Sequence, residues 1–329
     1  MPDFSDVLAA AARIAPHAHV TPVLRSRSLD ALAGCGIHFK CEQLQRTGAF
    51  KFRGACNAVW SLRDDQAARG VVTHSSGNHG AALALAAHTR GIACHVVVPQ
   101  GAVPAKLAAI AGYGAVLHHC APTIAAREAM CAQVQQATGA ELVHPYTDPR
   151  VIAGQGTATL ELLNQTGQGD DDASDASLFD ALVVPVGGGG LTAGTAIVAA
   201  ALSPRTRVFA AEPAGAADTF TSLQRGELST DFVPDTVCDG LRGSLGAPNF
   251  ALLQAHRVTA LTVDDSDTIA AMRLLWQRGK LLVEPSSAIA FAAVLGHRER
   301  FAGQRVGIIL SGGNVDLDGL AVLFAPANR

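Results

Sequence analysis

An α/β fold, with parallel sheets covered on both faces by helices, is what this sequence predicts, and three observations carry the prediction. Short aliphatic runs end in Gly or Pro, the punctuation of buried strands. Ala- and Leu-rich segments at helical spacing separate those runs. The composition is aliphatic: of 329 residues 49% are hydrophobic but only 5% aromatic, so Ala, Val and Leu can fill a large core. Strand, helix and strand in alternation lead to parallel pairing with both sheet faces buried.

The elements follow in order. Gly70 to His74 is the first expected strand, with a helix from Ala81 to Thr89 behind it. Cys94 to Pro99 and Ala115 to His119 are the next strands. A helix from Thr123 to Ala137 then leads to a run from Leu142 to Pro145. Val151 to Gln165 reads as a helix, Leu182 to Val186 as a buried strand, and Leu191 to Leu202 as the helix after it. Val208 to Ala211 and Val306 to Leu310 complete the strands. Gly167 to Ser177 (GQGDDDASDAS) is acidic and made of small residues, which reads as a disordered surface loop.

Charge and cysteine usage exclude several classes. The chain carries 25 Lys+Arg against 28 Asp+Glu, a formal net charge of −3, with no basic stripe for a nucleic acid. No apolar run is long enough to cross a bilayer. Met1 to Arg13 carries Asp3 and Asp6 and lacks a signal pattern, so a soluble, cytoplasmic protein is expected. The 7 cysteines are scattered, without a Cys-x-x-Cys pair, and fit reduced core thiols better than disulfides or zinc.

Four Gly-rich junctions follow expected strands: Ser75 to Gly80, Gly187 to Gly190, Asp239 to Gly243, and Ser311 to Asp316. In open α/β sheets ligands bind where such loops converge. The tetraglycine stands out, because four glycines let several backbone N–H groups meet one oxyanion at the positive end of a helix. A tight turn needs only one or two. Gly188-x-Gly190-x-x-Ala193 also satisfies a loose dinucleotide fingerprint, with Glu212 near the distance of a ribose-binding acid. An NAD-dependent dehydrogenase is therefore a competing reading.

Lys51 is the second feature. It lies between Phe50 and Phe52, with Gly48 and Gly54 flanking, at the head of a helical stretch from Ala55 to Leu62. An amine desolvated by aromatic walls loses affinity for its proton and becomes nucleophilic, as Schiff-base chemistry requires. A lysine merely covering a sheet edge would look similar locally.

Four motifs in order now carry a resemblance: Lys40-Cys41-Glu42-x-x-Gln45-x-x-Gly48-Ala49-Phe50-Lys51-x-Arg53-Gly54-Ala55, Ser75-Ser76-Gly77-Asn78-His79-Gly80, Gly187 to Gly190, and Ser311-Gly312-Gly313-Asn314. The chain resembles the fold-type II pyridoxal-phosphate enzymes, within them the serine/threonine dehydratase and serine racemase family, from about Thr21 to Asp316. This decides against the dehydrogenase. The resemblance implies a two-domain fold like the tryptophan synthase β subunit. A small mobile domain, 70–146, is inserted into a large cofactor-binding domain of 1–69 and 147–329. It implies a homodimer too.

Site roles are likewise implied. Lys51 holds pyridoxal 5′-phosphate and takes the α-proton, Phe50 walls the ring, and Asn78 bonds its 3′-hydroxyl. Gly187, Gly188, Gly189 and Gly190 bind the phosphate, and Ser311 faces the pyridine nitrogen. A serine there does not keep that nitrogen protonated, which weakens the electron sink and suits prompt loss of a β-hydroxyl. Ser75, Ser76, Asn78 and His79 grip the substrate carboxylate, and Ser76 matches the racemases' second base. Glu212, Ala216 and Asp218 match a divalent-cation site suited to Mg²⁺, or to Ca²⁺ or Mn²⁺; a helix N-terminal acid pair is the alternative.

The reaction expected is dehydration of L-threonine or L-serine to a 2-oxo acid and ammonia. Serine racemase and 3-hydroxyaspartate dehydratase are the alternatives. Two departures matter. Ala49 stands where many relatives have serine, and Arg150 could either receive a second substrate carboxylate or pair with Asp148.

Overall fold

The computed structural model describes residues 1–167, 178–229 and 231–325. Apart from Gly167, the acidic stretch expected to form a surface loop lies outside the described residues.

Among the described residues ten strands form two sheets. They are β1 (Val23–Leu24), β2 (Gly36–Cys41), β3 (Val71–His74), β4 (Cys94–Pro99), β5 (Val116–Cys120), β6 (Glu141–Leu142), β7 (Ala181–Pro185), β8 (Arg207–Pro213), β9 (Thr259–Val263) and β10 (Arg305–Leu310). The larger sheet runs β1-β2-β10-β7-β8-β9 and the smaller β5-β4-β3-β6. Every pair is parallel except β1 on β2. The α/β prediction therefore holds. The small sheet draws its strands from 71–142 and the large one from 23–41 and 181–310.

Each aliphatic run forms a strand, although the run at Leu142 contributes only Glu141–Leu142. Helices begin earlier than expected where glycines mask their starts: Asn78–Arg90 rather than from Ala81, and Gly190–Leu202. Strands β1, β2 and β9 are additions to the expected set. In β2 the cause is visible: His38 and Lys40 interrupt the apolar pattern, yet both are buried. Among the described residues no helix is long and apolar enough to cross a membrane. All 7 cysteines are unpaired and buried, and burial pushes the thiols of Cys35 and Cys41 up to about 11. They act as small core residues.

Lys40 belongs to a charge network inside the molecule. Its Nζ donates to the Thr21 carbonyl at 2.8 Å and to Gln165, and pairs with Glu161 at 2.5 Å. Arg53 donates through Nε to Glu42 at 2.7 Å and through Nη2 to Glu161 at 2.9 Å. The side chains of Arg53 and Glu42 are 2% and 0% exposed, so neither charge can fall back on water. The network ties helix Lys51–Trp60, which carries Lys51 at its first position, to β2 and to helix Pro149–Gly167. Removing one partner of such a group strands the others' charge. Arg53→Ala is expected to cost about 3–5 kcal/mol, read as the drop in unfolding free energy by chemical denaturation; a loss near zero would contradict the network's role.

Candidate active site

The carboxyl ends of β2, β3, β7 and β10 lead into the segments that build the site. After β10, the Ala49↔Gly312 bridge and a hydrogen bond from Phe50 N–H to the Ser311 carbonyl (2.9 Å) lay the Lys51 segment against the Ser311 loop. Phe50 packs against Ala158, Val184, Leu191 and Ile309. Lys51 Nζ donates to the Pro145 carbonyl at 3.0 Å and lies 5.1 Å from the Phe50 ring centre. Burial, with no carboxylate to offset it, holds the amine down to about 8. A substantial neutral fraction near physiological pH is what a nucleophilic amine needs.

The tetraglycine loop is floored by Tyr146, the residue after Pro145. The Tyr146 ring packs on Gly188 so closely that a Cβ there would stand 2.3 Å from Tyr146 Cγ. Gly189 has φ +88°, a conformation that L side chains rarely adopt. Asn249 Nδ2 donates to the carbonyls of Gly188 and of Tyr146 (2.9 Å for the latter), fixing the loop from behind. The N–H groups of Gly187, Gly188, Gly189 and Gly190 donate to no described residue. They open helix Gly190–Leu202, which makes the loop an anion cradle and fits a phosphate.

Asn78, at the start of helix Asn78–Arg90, is bonded at both ends of its amide. Nδ2 donates to Glu284 at 2.9 Å, and Oδ1 accepts from Asn314 Nδ2 at 2.9 Å. Ser75 Oγ accepts from Gly77 N–H at 3.4 Å, whereas the Ser76 hydroxyl bonds no described residue. The His79 ring is turned into the protein, 2% exposed, with Nε2 3.3 Å from the Val143 carbonyl. Burial keeps that imidazole neutral, so the helix N-terminus, rather than the ring, is what this position offers an anion. Ser311 Oγ donates to the Ser286 carbonyl at 3.4 Å, its residue 4% exposed.

Three further residues are absent from the expected site. His144 Nδ1 accepts the backbone N–H groups of Thr147 (3.2 Å) and Tyr146 (3.4 Å), which leaves the ring proton on Nε2. Burial, with His74 and Lys51 nearby, lowers it to about 4. Tyr146 forms the floor under Gly188. Glu284, just before helix Pro285–Gly296, is 3% exposed, and burial pushes it up to about 8. An acid alone in the apolar stretch from Leu281 to Ala293 was the available signal for it.

Glu212, in β8, and Asp218, the first residue of helix Asp218–Arg225, are both buried and flank the buried Ala216 in the chain. Both Glu212 oxygens accept backbone N–H groups, Thr219 at 2.8 Å and Phe220 at 2.7 Å. Asp218 Oδ2 accepts from Leu245 N–H at 2.7 Å, while Oδ1 is buried without a partner. Burial raises Glu212 to about 8 and Asp218 to about 6. Each Glu212 oxygen takes one N–H and keeps a further lone pair. Arg150 is also committed: Nε and Nη2 donate to Asp148 at 3.0 and 2.6 Å, and Nη1 meets Glu141 at 3.3 Å.

Comparison with known proteins agrees with this geometry. The pattern of the family described as pyridoxal-phosphate dependent enzyme matches residues 14–312. The chain is 46% identical to the β-hydroxyaspartate dehydratase of Paracoccus denitrificans, covering 97% of this chain and 98% of that one. It is 45% identical to the serine racemase of Dictyostelium discoideum, covering 97% of each. Among solved structures, a T.th. threonine deaminase superposes with a TM-score of 0.88 at 42% identity, covering 99% of this chain and 100% of that one. The chain belongs to the pyridoxal-phosphate dependent enzymes.

Proposed function

We propose that the chain is an ammonia-lyase that removes water from a 3-hydroxy amino acid, L-threonine or L-serine, to give a 2-oxo acid and ammonia. The observation that carries this reading is the desolvated Lys51 amine, held between the Phe50 ring and the Pro145 carbonyl, one residue from the Tyr146 that floors the glycine cradle. When bound, pyridoxal phosphate supplies an aldehyde for that amine and a ring that draws electrons from the substrate's α-carbon.

The chain's own groups divide the remaining work. Lys51 holds the cofactor and takes the α-proton. Gly187 to Gly190 receive the phosphate on their free N–H groups, Phe50 walls the ring, Asn78 bonds the 3′-hydroxyl and Ser311 faces the pyridine nitrogen. Ser75, Ser76, Asn78 and the N–H groups ahead of His79 hold the substrate carboxylate. Elimination breaks the Cα–H and Cβ–O bonds, forms the Cα–Cβ double bond and releases water; the freed enamine, aminoacrylate from serine or aminocrotonate from threonine, takes up water to give the 2-oxo acid and ammonia.

Serine racemase is the second reading, favoured by one observation: the Ser76 hydroxyl bonds no described residue and is free to move a proton. Inversion needs two bases on opposite faces.

We also propose that Glu212, Ala216 and Asp218 bind Mg²⁺, or Ca²⁺ or Mn²⁺. The support is the unpartnered Asp218 Oδ1 and the raised pKa of both acids, a cost that a cation would offset. The domains 1–69 with 147–329, and 70–146 as the part that closes on substrate, belong to the same proposal, as do a homodimer and a cytoplasmic setting.

Release of 2-oxo acid from L-threonine, L-serine and L-threo-3-hydroxyaspartate, with Mg²⁺ and after chelation, tests the reading. The monocarboxylic substrates should turn over faster, because Asp148 and Glu141 occupy Arg150. Chelation should lower the rate. Absence of 2-oxo acid from all three would refute the function.

A further inference from the structure

Glu284 is a buried acid for which the proposed chemistry has no task. One carboxylate oxygen accepts from Asn78 Nδ2 at 2.9 Å and the other from Asn314 N–H at 3.1 Å. Asn314 Nδ2 donates in turn to Asn78 Oδ1 at 2.9 Å and to the Thr47 carbonyl at 2.7 Å. The carboxylate is wedged against the cofactor-lysine segment, since a Cβ on Gly312 would stand 2.7 Å from Glu284 Oε1 and 3.2 Å from Ala49 Cβ. Asp239, which raises its pKa, and Lys106, which lowers it, are the charged groups facing it, and those two pair with each other.

The chemistry of these contacts fixes the orientation of one amide. Both Glu284 oxygens accept, one from Asn78 Nδ2 and one from Asn314 N–H, so the Asn78 edge facing the acid is the NH₂. Asn314 presents an NH₂, so the edge facing it must be the carbonyl. A flipped Asn78 would set its NH₂ against the Asn314 NH₂, which the Thr47 carbonyl holds in place, donor against donor. One Asn78 N–H is used on Glu284, and the second donates to no described residue.

We propose that Glu284 is a positioning residue that orients the Asn78 carboxamide so that its free N–H points to the 3′-hydroxyl of the cofactor ring. The inference rests on the reading of Asn78 as the partner of that hydroxyl. Glu284 also ties residue 78 to a segment 206 positions away, so simple bracing of the fold is the competing role.

Three variants loaded with pyridoxal phosphate separate the two, by visible absorption spectrum, cofactor affinity and thermal midpoint. In Glu284→Gln one of the two N–H donors meets an NH₂, and the amide frame is frustrated. The spectrum of the saturated protein should shift, as it should in Asn78→Ala, and cofactor affinity should fall about tenfold, as for one lost hydrogen bond. The double variant Asn78→Asp, Glu284→Gln restores the cross-link, because the new carboxylate at position 78 accepts from the new amide at position 284 and from Asn314. Its thermal midpoint should recover while its spectrum stays shifted, since no donor faces the ring. A wild-type spectrum in Glu284→Gln beside a shifted one in Asn78→Ala would overturn the positioning role. Wild-type spectra in both would overturn the reading of Asn78, and the inference with it.

Discussion

Lys51→Ala is expected to lower 2-oxo acid release by about 10⁴-fold or more, the scale of a lost general base, and to abolish the visible absorbance of protein-attached cofactor. The residue is the only group the site offers for both tasks among those described: a desolvated amine with one carbonyl acceptor and an aromatic neighbour. Its titration gives a second handle. Burial lowers the amine from 10.5 to about 8, so cofactor capture by the apo protein should accelerate with pH and level off above about 8. Apo stability should rise with pH between about 8 and 10.5, because there the unfolded chain binds the proton and the folded one does not. Substantial turnover in the alanine variant would overthrow the assignment of the lysine.

Gly188→Ala should weaken cofactor binding on the order of 100-fold, since overpacking costs about 1–3 kcal/mol and the strain falls on the phosphate cradle itself. The new methyl would meet the Tyr146 ring at 2.3 Å, and Tyr146 is held by Asn249 and cannot simply withdraw. Gly296→Ala is the control, because nothing lies within 4 Å of its added Cβ. Fluorescence titration with pyridoxal phosphate distinguishes the two; equal affinity in both variants would mean that the loop does not receive the phosphate.

How much of this is legible in the sequence follows from where each signal lies. Strands β3, β4, β7, β8 and β10 are aliphatic runs closed by Gly, Pro or a polar turn, so local pattern suffices for them. Strand β2 is hidden because Lys40 and His38 look like surface residues until Glu161, Gln165 and the Thr21 carbonyl are seen around the lysine. Those partners lie more than a hundred residues away or in another loop. Lys51 and the tetraglycine are visible because their chemistry is local: an amine between aromatics, and a run of donors at a helix start. Tyr146 is not, since its contact with Gly188 is made by tertiary packing alone, and Glu284 shows only as a lone acid in an apolar stretch, its partners Asn78 and Asn314 being brought to it by the fold; His144 bonds its own neighbours, and only burial marks it out. Arg150 is ambiguous for the opposite reason. Its partner Asp148 is only two positions away, and sequence cannot say whether a guanidinium prefers a neighbour or a ligand.

The most direct test of the central claim is the product balance from L-serine. Wild-type protein and Ser76→Ala, both loaded with pyridoxal phosphate, would be assayed for pyruvate, ammonia and D-serine over one time course. Elimination as the main reaction predicts pyruvate and ammonia in equal amounts and in excess of D-serine, with Ser76→Ala losing D-serine to a greater extent than the other two. Accumulation of D-serine without matching ammonia would contradict the account and make inversion the enzyme's principal chemistry.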